Sequence, residues 1–288
     1  MKLISKLPGP LLVFLGAICL SFGGVIVKSF DGANLWQILF WRQIFFSIIV
    51  ALYLLFTYKK NFFTSFYNSG LPGFIGGLFL AVGFVAYVFA MYTTTVANTN
   101  FIITTETIFL ALFGYFFLKE KINLITLVSI ILGMSGVIII LGSSLSIQSN
   151  EQFFGNVIAF IMPISFAVLV MVVRKYPNVD MIPAQFTAGV TAAVIGFFIA
   201  GELSISLHDL LLASLAGIFQ IGFGFILITI GSQTTPAAVV GVLMLSESVF
   251  GLLWAWLFIK EIPPMGVLVG GAIIVFSILF QSFLSKKV

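Results

Sequence analysis

Ten apolar stretches follow one another along this chain with almost nothing between them: residues 10–28, 34–57, 70–91, 97–118, 123–142, 153–173, 182–201, 210–231, 236–259 and 264–284. Each is close to the roughly 20 residues that a helix needs to cross a hydrocarbon core. Inside lipid no water satisfies backbone N–H and C=O groups, so each stretch is read as a helix bonded along its own length. The short gaps carry turn and cap residues, among them "FDGAN", "YNSGLPG", "TTTVANT", "SSLSIQSNEQ", "KYPNVDMIP", "GSQTTP" and "KEIPP". None is long enough to hold a soluble domain.

Only 8% of the 288 residues are charged and mean hydropathy is +1.23, against about 25% charged residues in a soluble domain. Too little polar surface exists to cover a globule in water, so lipid is the solvent. One cysteine, Cys19, excludes an intramolecular disulfide framework and a Cys-rich metal site. One histidine, His208 beside Asp209, supports neither a zinc cluster nor a Ser-His-Asp triad. No GxxxxGK[ST] occurs, which argues against ATP hydrolysis on this chain. A membrane enzyme would need a His, Asp or Glu cluster at one interface, and there is none. No cofactor is expected. The net charge of +4 is spread in ones and twos, so the basic residues read as topology marks and nucleic acid is not an expected partner.

Ten spans put both termini on one side. If that side is the cytoplasm, the inner basic residues are Lys2, Lys6, Lys59, Lys60, Lys119, Lys121, Arg174, Lys175, Lys286 and Lys287, and the outer ones are Lys28 and Lys260. The positive-inside rule then predicts cytoplasmic termini in a multi-pass protein of the cell (inner) membrane. The first span is expected to be retained, because it is long and lacks a clear A-x-A cleavage site.

The spans repeat. "TTETIFLALFGYFFLKE" (Thr104 to Glu120) aligns at an offset of 141 residues with "LSESVFGLLWAWLFIKE" (Leu245 to Glu261). Glu106 falls on Glu247, Phe109 on Phe250, and Lys119-Glu120 on Lys260-Glu261. "GPLLVFLGAICLSFGGVIVKSF" is likewise echoed by "GNVIAFIMPISFAVLVMVVRKY". Five spans is an odd number, so the second half, 150–285, would sit upside down relative to the first, 8–145. Inverted repeats are a device of secondary transporters, with the binding site near midplane where the repeats meet. The predicted fold is an all-α polytopic membrane protein, with ten transmembrane helices as two inverted five-helix repeats around a central cavity.

With its five-plus-five spans, Arg42 in span 2, and span ends reading "FFLKEK" and "LFIKEI", the chain resembles the drug/metabolite transporter superfamily, in particular its EamA-type members. The resemblance covers about residues 8 to 284. It implies a ten-helix basket with a cavity lined by spans 1, 3, 4, 6, 8 and 9. A glutamate at the midpoint of both repeated spans departs from the common pattern.

A charge in mid-membrane costs several kcal/mol on insertion scales and marks a partner or a watery cavity. Arg42 and Glu106 lie at similar depth, roughly 12 Å from one face at 1.5 Å per residue. Arg42 reads either as an anchor, on carbonyls or on Glu106, or as a clamp for a substrate carboxylate. Glu106 and Glu247 read as binders of a substrate ammonium or carriers of a proton, against a neutral acid at a helix interface. Tyr87 and Gln220 are expected to face the cavity; Ser21, Tyr92, Tyr115, Ser165 and Gln185 are further polar groups within spans. Glu120 and Glu261 read as interfacial ion pairs or caps of the next helix, and Lys28 as a snorkelling residue. Asn98, Thr99, Asn100 and Thr235-Pro236 read as helix starts. Trp36, Trp41 and Tyr58 fit interface belts. Of Trp254 and Trp256, at most one turns inward. Gly76-Gly77, Gly83, Gly133-Gly136 and Gly270-Gly271 read as close-packing surfaces, and Gly83 and Gly224, matched across the repeat, read as packing positions or as flex points for gating.

The sequence therefore predicts a secondary active transporter of a small polar metabolite, an amino acid or related amine, with export favoured and proton coupling possible in principle. The alternatives are an importer or exchanger of cationic, methylated or nucleotide-like metabolites, and multidrug efflux of lipophilic cations. Its partners would be a small-molecule substrate and the bilayer, and the chain would act as a monomer or homodimer.

Overall fold

A computed structural model describes residues 7–94, 96–142, 150–260 and 265–284, and among these all regular structure is helical. Lys2, Lys6, Glu261, Lys286 and Lys287, and the side chain of Asn98, lie outside the described residues. In chain order the helices are α1 (Gly9–Leu20), α2 (Gly23–Lys28), α3 (Leu35–Tyr58), α4 (Phe62–Thr93), α5 (Val96–Thr104), α6 (Glu106–Leu118), α7 (Leu124–Gly142) and α8 (Asn150–Ala159). They continue with α9 (Ile161–Lys175), α10 (Ile182–Ala200), α11 (Leu207–Leu215), α12 (Gly224–Ser232), α13 (Ala237–Met244), α14 (Ser246–Ile259) and α15 (Met265–Leu284). A π-helical segment, Ala216–Phe223, joins α11 to α12.

Six apolar stretches are long enough to cross a membrane, and three shorter apolar helices accompany them. One of the six, Leu35–Thr93, has 59 residues, some 88 Å of helix at about 1.5 Å per residue. That is far more than one crossing, and the chain turns at Lys59 (φ 51°) and again at Gly70 (φ 54°). Large apolar side chains such as Phe56, Phe116, Phe198 and Phe283 stand on the outside, which only a lipid solvent makes favourable. The chain is a polytopic, multi-pass membrane protein.

Four apolar stretches are kinked near their middles, each for a reason legible in local chemistry. The Ser21 hydroxyl donates to the Ile18 carbonyl at 2.6 Å where α1 gives way to α2. Thr105 does the same to Ile102 (2.5 Å) between α5 and α6, and Ser246 to Leu243 (2.6 Å) between α13 and α14. A hydroxyl that bonds back to a carbonyl three residues earlier competes with the backbone ladder and bends the helix. Between α8 and α9 the cause is Pro163, which has no N–H to offer the Ala159 carbonyl. Thr105 and Ser246 are repeat mates, so the same device interrupts both copies just ahead of the acids.

Helix ends are also matched. α6 stops at Lys119 in the left-handed region (φ 55°), with Glu120 N–H donating to the Gly114 carbonyl at 3.0 Å, and its mate Lys260 has φ 58°. This closure favours glycine. Lys119→Gly is expected to stabilise the fold by about 1 kcal/mol, read as a higher melting temperature in detergent; an unchanged or lower value counts against strain at this turn.

In the interior, Phe46, Phe84, Phe166 and Phe225 from α3, α4, α9 and α12 are fully buried. Their rings meet edge-on, with Phe84 and Phe225 centroids 5.2 Å apart and Phe46 and Phe84 5.4 Å apart. Glycines let helices approach elsewhere: a Cβ on Gly136 of α7 would lie 2.6 Å from the Gly270 carbonyl of α15, and one on Gly83 of α4 2.9 Å from the Ser165 Cβ of α9.

Candidate functional site

Arg42 is placed by α3, which is started by a capping box: the Asn34 side chain accepts from Trp36 and Gln37 N–H while Gln37 reaches back to Asn34 N–H. Its guanidinium is 5% exposed and lies over the Tyr87 ring at 5.0 Å and the Phe84 ring at 5.9 Å. Cation–π contact supplies part of what water no longer does. Nε and Nη1 nevertheless have no hydrogen-bond partner among the described residues. Nor does Arg42 pair there with Glu106, so the reading of a span 2 to span 4 ion pair is not realised. Arg42 lines a narrow cavity of about 20 Å³ together with Ile26, Ile38, Tyr87 and Gln220 among others. That is room for about one water.

Gln220 owes its aim to the π-helical segment, since widening one turn redirects the side chains on it. Its Nε2 donates to the Leu20 carbonyl at 3.3 Å, at the end of α1 where the kink interrupts the helical ladder. Gly23, the first residue of α2, leaves the space: a Cβ there would lie 2.5 Å from Gln220 Nε2 and 3.0 Å from Tyr87 Oη. Gly23→Ala is expected to displace the Gln220 amide and weaken cargo binding several-fold, with little effect on melting because a flexible side chain takes up the clash. Wild-type binding by Gly23→Ala would remove Gln220 from the site.

The acids stand at the starts of the two half-helices that follow the matched kinks. There the free N–H groups and the helix dipole favour a carboxylate by about 0.3–1 kcal/mol. Glu106 is 3% exposed and Glu247 half-buried. They lie close enough to interact electrostatically, as do Glu247 and Tyr87, and Tyr87 and Arg42. Neither carboxylate accepts a hydrogen bond among the described residues. The five residues singled out from the sequence therefore form one neighbourhood, with Arg42, Tyr87 and Gln220 on one cavity and the acids beside it.

Other groups fall elsewhere. Gln185 Nε2 bonds to the Phe225 carbonyl and Thr229 at the α10–α12 contact. Tyr92 donates to the Ala33 carbonyl, and Tyr115 is exposed. Trp41 bonds to the Leu203 carbonyl and Tyr58 to Asp180. Trp254 turns inward and Trp256 outward: Trp254 Nε1 donates to Ser21 Oγ at 2.8 Å and its ring stacks on Phe22 at 4.6 Å, while Trp256 is exposed.

Glu120 caps a helix, but not the next one. α7 is started by Asn123, whose side chain accepts from Thr126 N–H at 2.7 Å. The turn at Lys119 instead aims Glu120 across to α13, where it accepts from Ala237 N–H at 2.8 Å, and to Arg174 of α9, at 2.5 Å and 2.8 Å. Sequence reasoning named Ser21 as a polar group within a span but missed its place at the first kink, and missed Phe22 and Gly23 beside it. A hydroxyl followed by a glycine pair in mid-span was the available signal.

Kinked apolar helices packed around a small, mostly apolar cavity that Arg42, Tyr87 and Gln220 help to line define a polytopic membrane protein with a site inside it. The sequence matches the EamA-like transporter family over residues 7–142 and 153–283, and the chain belongs to that family. It is 25% identical over 276 residues to solute carrier family 35 member G1 of Mus musculus, covering 91% of this chain and 74% of that one. It is 24% identical over 280 residues to an S-adenosylmethionine uptake transporter of Rickettsia conorii, covering 95% and 92%. A crystal structure with 15% identity superposes with a TM-score of 0.82 over 97% of this chain and 98% of that one, so the fold is shared. The protein is a membrane transporter of small metabolites.

Proposed function

We propose that the chain carries an amino acid or related zwitterionic amine across the cytoplasmic membrane, in the export direction, by rocking one inverted five-helix repeat (8–145) against the other (150–285). Both termini are cytoplasmic in this reading. The observation that carries it is Arg42, a nine-tenths buried guanidinium whose Nε and Nη1 have no hydrogen-bond partner among the described residues, on a residue that lines a cavity with Tyr87 and Gln220. A buried charge with unused donors is costly, and a substrate carboxylate would satisfy both. Glu247 then takes the ammonium while the cytoplasmic end is closed, and Glu106 takes it once α6 and α13 part, so the two charges of a zwitterion each meet an opposite one.

The Phe22–Trp254 stack favours a second reading on the same site. An aromatic pair beside an acid suits a methylated or sulfonium-bearing cargo, and a relative is described as an S-adenosylmethionine uptake transporter. Counterflow in proteoliposomes separates the two. Vesicles are loaded in turn with unlabelled amino acids, amines, S-adenosylmethionine and nucleotides, and exchange of the labelled counterpart is followed. Saturable exchange of amino acids supports the first reading, and exchange confined to S-adenosylmethionine the second. Exchange of nucleotides alone overturns both.

A further inference from the structure

The repeat allows one end of the molecule to be compared with the other, position by position. On α6, Glu106, Thr107, Leu110, Ala111 and Gly114 are buried. Thr107 donates to the Gly241 carbonyl of α13 at 3.0 Å, and a Cβ on Gly241 would lie 2.8 Å from Thr107 Cα, so these two half-helices touch backbone to backbone. At an offset of 141 residues the mates are packed far less closely. Ser248 is half-buried where Thr107 is buried, and Asn100 is exposed where Gly241 is buried. Gly251 stands where Leu110 does, and a Cβ there would meet only the Ser21 carbonyl, at 3.4 Å. One end, between α6 and α13, is shut; the other, between α5 and α14, is loose.

Glu120 lies at the shut end. Among the described residues it is the one contributor from the first half to a bonded cluster whose other members, Arg174, Gln233 and Ala237, come from the second. Its Oε1 accepts from Arg174 Nε and Nη2, and its Oε2 from Ala237 N–H. Arg174 Nη1 also donates to the Gln233 carbonyl at 3.0 Å, which ties the turn before α13 into the same cluster. Both charged side chains are about a fifth exposed, at 19% and 18%. An ion pair wetted to that degree is modest in strength, which suits a contact that must break once per cycle.

We propose that Glu120, with Arg174 and the α13 N-terminus, is the latch that holds this end closed. By the distribution of Lys and Arg it is the cytoplasmic end, so the structure represents the carrier closed to the cytoplasm. The inference rests on the alternating-access reading above and adds the residue that poises it. Glu120 is a positioning residue: it touches no cargo, and it sets which face of the site is reachable.

The test needs no substrate, so its failure is separable from an error about the cargo. Cys19 is the only cysteine, and Cys19→Ser clears the background. Val240→Cys then places a reporter thiol on α13, one residue before Gly241, at a fully buried position. A membrane-impermeant thiol reagent is applied to right-side-out and to inside-out vesicles. Val240→Cys alone is expected to resist labelling from both faces. Added Glu120→Gln should speed labelling from the cytoplasmic face about tenfold, the population shift produced by roughly 1.4 kcal/mol. Arg174→Gln, which leaves the Ala237 cap in place, should do the same, and the double variant should be no faster than the single ones. Size-exclusion profiles report folding, and if Glu120→Gln loses its monodisperse peak the Arg174→Gln comparison decides. Labelling that neither variant changes, or that rises only from the outer face, overturns the latch.

Discussion

Arg42→Gln is expected to abolish counterflow while leaving the protein as stable as wild type, or more so. The combination separates the two readings of this residue. Charge-assisted hydrogen bonds are worth about 1.5–3 kcal/mol each, so losing two to a cargo carboxylate weakens binding by roughly 10²–10⁴-fold at about 1.4 kcal/mol per decade. An anchoring arginine behaves otherwise, because removing one partner of a satisfied buried pair destabilises by about 3–5 kcal/mol. Here no partner is left behind: two guanidinium nitrogens are orphaned, and the Tyr87 and Phe84 faces remain packed without the charge. Replacing an unpaired buried charge by a neutral side chain removes a desolvation cost. Arg42→Lys should fail nearly as badly, since an ammonium lacks the planar fork and the ring stacking. Binding isotherms and thermal melts of the same detergent-purified samples decide the matter. A large drop in melting temperature with near-normal binding would return Arg42 to a structural role.

What could be read in the sequence follows the physics that is local. Apolar length located the helices, and hydroxyls and a proline within the spans carry the information for the kinks. Pro163 interrupts one ladder by covalent structure, and Ser21, Thr105 and Ser246 interrupt theirs by bonding three residues back. Gln220 was legible because a primary amide in an apolar span must face polarity. The partner of each buried polar group was not legible, because it depends on how helices distant in sequence are rotated about their axes. Glu120 is the clearest case. The sequence suggested an ion pair or a cap on the helix that follows; the ion pair forms, with Arg174, but Asn123 already serves that helix, and the left-handed turn at Lys119 sends the carboxylate to residues 54 and 117 positions away. Trp254 and Trp256 are similar: two residues apart on a helix, they must diverge, yet only the packing of α14 against the first kink selects Trp254 to meet Ser21.

Glu247→Gln and Glu106→Gln are expected to differ although the two acids are repeat mates. Glu247 is half-buried and within electrostatic reach of Tyr87, at the loosely packed end of the molecule. Glu106 is 3% exposed and heads the half-helix that Thr107 fastens to α13. In the proposed state closed to the cytoplasm, Glu247 is thus the acid expected to meet an arriving ammonium. Removing its charge should weaken equilibrium binding from the outer face by about 10–100-fold, the loss of one charge-assisted contact. Glu106→Gln should leave that binding within a few-fold and instead suppress exchange, because its carboxylate becomes reachable only when α6 and α13 part. Under the proposed rocking of inverted halves, the two chemically alike positions serve opposite states, since opening one end closes the other. Binding measured in detergent beside counterflow in vesicles separates the effects. Equal loss of binding in both variants would mean that the acids act together on one bound cargo and that the asymmetry in their burial has no part in the cycle.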